Sequence, residues 1–188
     1  PGVTDAPIPL VDLAWQHAQV ADEVNAGFAS VMDRTAFING AEVGRFEAAF
    51  AEHCGVPHVV GVANGTDAVE LALRSVGVGA GDRVVLQANT FIATAEAAAR
   101  AGAVPVLVDC EPEHQLIDVD AAAAAIATSR AAAVVGVDLF GQCAPMERLA
   151  DAAASAGATR GDRPAALVRD AAQSQGATRH GRGVGADA

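Results

Sequence analysis

Apolar residues recur along the chain with two different periods, and the period changes near residue 57. Between Val11 and Met32, Leu13, Val20, Val24, Phe28 and Val31 are spaced by three, four or seven, the pattern of an amphipathic helix. Glu42 to Cys54 repeats it, with Val43, Phe46 and Phe50 on one side. Beyond that point short Val-rich runs alternate with helical windows. Strands are predicted at His58–Ala63, Arg83–Gln87, Val104–Asp109, Ala132–Asp138 and Ala165–Arg169, and helices at Thr66–Val76, Thr90–Ala101, Val119–Thr128 and Pro145–Ala156. Such β–α alternation predicts an α/β fold, a mainly parallel sheet flanked by helices. The division expected is an N-terminal helical segment over 1–56 and an α/β domain over 57–188.

Composition sharpens this picture. Hydrophobic residues make up 52% of the 188 while aromatics reach only 4%, because about a quarter of the chain is alanine, so the core is built from Ala, Val and Leu. The tracts Ala121–Ala125 and Ala152–Ala154 read as surface helices, since alanine is the best helix former and no fixed period recurs. All twelve basic residues are arginine, and with 23 acidic residues the net charge is −11. No basic face is available to neutralise a phosphate backbone, so nucleic acid is not an expected partner. Cys54, Cys110 and Cys143 are scattered and odd in number, which argues against a disulfide framework and fits a cytoplasmic location. His17, His53, His58, His114 and His180 lack i, i+4 spacing, so no metal site is expected and they are read as surface residues. No run of apolar residues approaches the length of a membrane span. Trp15, Phe46 and Phe50 are expected to pack in the core or at an interface, and Gly157–Pro164 to form an exposed polar loop. The opening at Pro1 and the Gly-rich stretch before Ala188 give both ends the look of cut ends.

In open α/β sheets ligands bind outside the carboxyl ends of the strands, so the residues following each strand carry the candidate chemistry. Asn64-Gly65-Thr66-Asp67 leads from the first predicted strand into a helix. Gly65 permits close approach of the backbone, Thr66 offers a hydroxyl, and the helix N-terminus offers amides, which together suit a phosphate; an ordinary helix cap is the plainer alternative. The pattern is neither a dinucleotide fingerprint nor a nucleoside-triphosphate loop, and the absence of lysine excludes the latter. Phe91 follows the second strand, where its ring can stack on a flat heteroaromatic ligand or pack in the core. Asp138 and Asp170 end the last two strands, and buried carboxylates need partners. For Asp170 a protonated ring nitrogen is a natural one, and a helix cap the alternative.

Taken in order, these segments resemble the DegT/StrS family of sugar aminotransferases, pyridoxal-phosphate enzymes of fold type I. The resemblance rests on Ile8-Pro9-Leu10-Val11-Asp12-Leu13, Phe37-Ile38, Glu42-Val43, Phe46-Glu47, Val62 to Ala68, Gly79 to Asp82, Asn89 to Thr94, Gly102 to Asp109, Gly141-Gln142 and Asp170-Ala171-Ala172-Gln173 with Gly176 and Gly181. It implies the large domain of such an enzyme, truncated, with the small C-terminal domain absent. It further implies pyridoxal 5'-phosphate as cofactor, with Gly65, Thr66 and Asp67 at its phosphate, Phe91 on its ring, Asp170 at the ring nitrogen and Gln173 near the phenolic oxygen. The expected activity moves an amino group, usually from L-glutamate, to a nucleotide-linked keto sugar, in a homodimer. The family's Schiff-base lysine is not among these residues, so no catalytic residue is assigned and the chain alone is expected to be inactive. The alternatives are a pyridoxamine-dependent sugar 3-dehydratase of the same family, with histidine for the lysine, and a non-catalytic truncated paralogue. Arg169 departs from the family pattern, where Glu commonly precedes the Asp; Asn39 and Ala41 depart as well, and the 157–164 loop is longer than usual.

Overall fold

The computed structural model describes residues 11–156 and 165–170. The chain divides into two compact units, residues 1–61 and 62–188. In the first, α1 (Leu13–Asp33) begins at Asp12, whose carboxylate accepts a hydrogen bond from the Trp15 amide at 2.9 Å, the usual device for satisfying a first-turn donor. Helix α2 (Ala41–Cys54) stops at Gly55, whose φ of 68° is the left-handed conformation that glycine adopts without steric cost. Arg34 and Arg45 both pair with Glu42, tying the α1–α2 turn to the start of α2. Phe46 and Phe50 stack with ring centroids 5.5 Å apart on α2, and both remain substantially exposed, as does Trp15.

The second unit carries α3 (Gly65–Ser75), β1 (Arg83–Gln87), α4 (Ile92–Arg100), β2 (Val104–Val108), α5 (Val119–Ser129), β3 (Ala133–Val137), α6 (Met146–Ser155) and β4 (Ala166–Asp170). The four strands form a parallel sheet in the order β2-β1-β3-β4. Alternation along each strand sends one set of side chains to each face. Val84 and Leu86 of β1 with Val135 and Val137 of β3 meet Val69 and Leu73 of α3 and Ala97 and Ala98 of α4. Val85 and Val134 meet Ile126 of α5 and Leu149 of α6 on the opposite face. The alanine tracts lie on these helices, with Ala122 and Ala153 buried against the sheet. Small residues permit this close approach. A Cβ added to Gly136 would lie 2.7 Å from Met146 Sδ and 3.0 Å from a Leu149 methyl.

Because β1 lies between β2 and β3, the chain leaves β1 through α4 toward one edge and returns through α5 to its other side. That reversal puts the topological switch point at the carboxyl ends of β1 and β3, the place where open parallel sheets hold ligands.

One predicted strand does not form. His58–Ala63 carries the β-branched residues of a strand, yet it joins no ladder among the described residues. A strand is stable only beside another strand, and here the Gly61 amide donates instead to the Glu47 carboxylate at 2.8 Å. Val60 and Val62 are exposed accordingly. Gly157–Pro164 lies outside the described residues.

Candidate functional site

Helix α3 opens the site. Asn64 caps it: its Oδ1 accepts from the Asp67 amide at 2.9 Å, and its Nδ2 donates to Asp67 Oδ2 at 3.0 Å. Among the described residues nothing accepts a hydrogen bond from the Gly65 or Thr66 amide, so the first two N–H groups of α3 are available to an anion, reinforced by the positive end of the helix dipole. Asp67 is committed elsewhere. Its Oδ1 pairs with Arg100 at 2.8 Å, and Arg100 also meets Glu70, while Arg74 bonds Glu70 and the Arg100 carbonyl. This network straps the first turns of α3 to the end of α4. It neutralises a carboxylate that would otherwise oppose an anion at the same helix end.

The end of β1 supplies the second wall. Gln87 is fully buried and donates to Asn89 Oδ1 at 3.0 Å, and Asn89 donates in turn to the Gln115 carbonyl at 2.9 Å. These bonds hold the turn that delivers Phe91 to the N-cap of α4. Phe91 is 63% exposed and stands outside the core formed by the described residues. After β3, Phe140 and Gly141 both take positive φ (55° and 76°), and the Phe140 ring is exposed in this turn.

Asp170 closes β4 on the face that carries α3 and α4. Register explains its placement: Asp170 pairs with Val137, whose side chain belongs to that face's core. It is 4% exposed, and its Oδ2 accepts a hydrogen bond from the Thr94 hydroxyl at 2.8 Å. Thr94 is itself fully buried in the first turn of α4. Its importance could not be read from the sequence, because its partner lies 76 residues away. Gln173 lies outside the described residues.

The neighbouring residue points the other way. Arg169 sits one position before Asp170, so it faces the opposite side of the sheet, where Asp138 follows the end of β3. Asp138 is 1% exposed; its Oδ1 accepts from the Ala144 amide at 2.8 Å, and its Oδ2 from Arg169 Nε and Nη2 at 3.0 and 2.7 Å. The hydrogen bond to Asp138 raises the Arg169 pKa above its already high ordinary value, outweighing desolvation by burial. Arg169 therefore keeps its charge beside Asp138. The unusual arginine is explained by the buried aspartate beside it, and the pair pins the Leu139–Ala144 turn. Arg169→Met is expected to destabilise the protein by roughly 3 kcal/mol, since it leaves Asp138 buried with its charge uncompensated. Urea unfolding measures this; a change below about 0.5 kcal/mol would mean that the pair is only a surface contact.

Among the described residues no group of three or more His, Cys, Asp or Glu side chains could hold a metal ion, and no helix is long and apolar enough to cross a membrane. The donor set suits an anionic, flat, nitrogen-containing ring compound instead: two open amides at a helix N-terminus, an exposed aromatic and a buried carboxylate, all at the carboxyl edge of the sheet. Helix α3 packs against both α4 and β4, so the three elements share one face of the sheet.

A parallel α/β sheet with this arrangement is the large-domain architecture of pyridoxal-phosphate aminotransferases. The family model for the DegT/DnrJ/EryC1/StrS aminotransferase family matches residues 18–188, and the chain belongs to that family. It is 39% identical, over 95% of its length, to the pleiotropic regulatory protein of Geobacillus stearothermophilus. It is 42% identical, over 94%, to the dTDP-3-amino-3,4,6-trideoxy-alpha-D-glucose transaminase of Micromonospora megalomicea subsp. nigra. These matches span 46% and 44% of the two relatives, so the chain covers less than half the length of either. The crystal structure of DesV from S. venezuelae superimposes with a TM-score of 0.80 at 37% identity, covering 90% of this chain and 43% of that one.

Proposed function

We propose that this chain is the cofactor-holding part of a pyridoxal-phosphate aminotransferase that moves an amino group, with L-glutamate as donor, onto a nucleotide-linked keto sugar. The observation that carries this reading is Asp170: a carboxylate 4% exposed, held by a buried hydroxyl, on the sheet face against which α3 packs. Membership of the family supports the cofactor. The name of the Micromonospora relative, a transaminase of a dTDP-linked amino sugar, supports the substrate class.

In this reading the amides of Gly65 and Thr66 and the Thr66 hydroxyl bind the phosphate. Asp67 fixes Asn64 and Arg100 rather than touching the phosphate, because its amide and both carboxylate oxygens are already engaged. Phe91 offers its face to the pyridine ring. Asp170, an ionised acceptor, holds the proton on the ring nitrogen, and Gln173 lies near the phenolic oxygen. The group when bound supplies an electron sink for moving an amine between carbon skeletons, while the protein orients it. A cytoplasmic homodimer, with a helical segment over 1–56, a partial cofactor domain over 57–188 and a small C-terminal domain outside these residues, completes the proposal.

Residues 1–188 contain no lysine, so they alone supply no side-chain amine for a Schiff base, and the arginines stay protonated. The test is glutamate-dependent amination of a keto-sugar nucleotide by the protein at its natural length beside residues 1–188 alone. Activity is expected only in the former. Borohydride reduction of the shorter chain with pyridoxal phosphate is expected to leave no stoichiometric adduct. Turnover by residues 1–188, or none by the natural-length protein with any keto-sugar nucleotide, would overturn the reading.

A further inference from the structure

Thr94 makes a contact that its own helix does not require. A threonine in a helix can turn its hydroxyl back onto a carbonyl of the preceding turn. Here the hydroxyl crosses to the sheet, 2.8 Å from Asp170 Oδ2 and 3.1 Å from Thr90 Oγ1, in a fully buried position. Counting protons fixes the direction of these bonds. An ionised carboxylate only accepts, and a hydroxyl carries one proton, so Thr94 donates to Asp170 and its oxygen accepts from Thr90. The result is a chain of two hydroxyls ending on the carboxylate. Such a bond to a charged, buried acceptor is stronger than one between neutral groups and narrows the orientations open to it.

The position of Thr94 matters as much as its bond. It lies three residues after Phe91, and its amide donates to the Phe91 carbonyl at 3.2 Å. The first turn of α4 therefore carries both the exposed aromatic and the group that orients the carboxylate. A shift of this turn would displace both together.

We propose that Thr94 is a positioning residue for Asp170: its hydroxyl fixes the carboxylate in the orientation that meets a ring nitrogen, and it locks that orientation to the placement of Phe91. This rests on the reading of Asp170 as the nitrogen's partner. Thr90 plays a supporting part as the donor that orients the Thr94 hydroxyl.

The experiment uses the natural-length protein loaded with pyridoxal phosphate labelled with 15N at the ring nitrogen, whose NMR shift reports whether that nitrogen is protonated. It compares the parent with Thr94→Val, Thr94→Ser, Asp170→Asn and the Thr94→Val/Asp170→Asn double variant, alongside kcat and the donor KM. Thr94→Val is expected to move the shift toward the unprotonated value and to lower kcat roughly tenfold to a hundredfold with the donor KM changed less than about twofold. Thr94→Ser restores both. On the Asp170→Asn background, Thr94→Val is expected to change neither further, whereas a merely structural role would give additive losses. Where Thr94→Val does not accumulate as folded protein, Thr94→Ala carries the same comparison. If Asp170→Asn alters the shift and neither Thr94→Val nor Thr94→Ala does, the positioning role is wrong and the reading of Asp170 survives. If Asp170→Asn itself leaves the nitrogen protonated, both fall.

Discussion

Asp170→Asn is expected to reduce amino transfer by about 10³-fold, or ~4 kcal/mol in the barrier, with the fold intact. The substitution is close to isosteric and keeps an acceptor for the Thr94 hydroxyl, so the contact that seats the side chain survives. What it removes is the negative charge, and with it the reason for a ring nitrogen to hold its proton beside the carboxyl group. Steady-state rates with glutamate, and far-UV circular dichroism as the check on folding, decide the matter. Parent-like turnover would reduce Asp170 to a buried structural carboxylate, and a lost fold would place its importance in stability.

The second large effect belongs to the α3 N-terminus. Gly65→Val combined with Thr66→Val is expected to weaken pyridoxal phosphate binding by about a hundredfold or more, equivalent to ~2.7 kcal/mol. Valine at 65 places branched carbons where an anion would approach the two open amides, and valine at 66 removes the hydroxyl. The Asn64 cap and the Arg100–Asp67 strap involve neither altered side chain, so α3 itself should persist. Equilibrium dialysis with the cofactor measures the loss, and unchanged affinity would place the phosphate elsewhere.

The helices were legible because their signals are local. The apolar spacing from Leu13 to Val31 and from Val43 to Phe50 marks α1 and α2, while the Asp12 cap and the Gly55 stop that bound them are seen only in the structure. β1 coincides with the predicted Arg83–Gln87, and the other three described strands lie within a residue of their predicted ends, because short β-branched runs between helices leave little choice. His58–Ala63 has the same composition and fails as a strand, since strand formation depends on a neighbour that no local pattern reveals. The site divides along the same line. Asn64 to Thr66, Phe91 and Asp170 are visible as polar or aromatic residues following apolar runs. Thr94 and the Asp138–Arg169 pair are not, because each depends on register between distant segments: Thr94 meets Asp170 across the α4–β4 interface, and Asp138 meets Arg169 across the β3–β4 pairing. In the sequence Arg169 reads only as a departure from the family pattern; in the structure it is the counter-charge of a buried aspartate.

The central claim is that one corner of the sheet holds the cofactor by three groups: the α3 amides at its phosphate, Phe91 at its ring and Asp170 at its nitrogen. A crystal structure of the natural-length protein with pyridoxal phosphate tests this most directly. It should show phosphate oxygens about 3 Å from the Gly65 and Thr66 amides, the ring against Phe91, and the ring nitrogen within about 3 Å of an Asp170 oxygen while Thr94 still donates to that carboxylate. A phosphate bound away from α3, or a ring nitrogen turned away from Asp170, would contradict it.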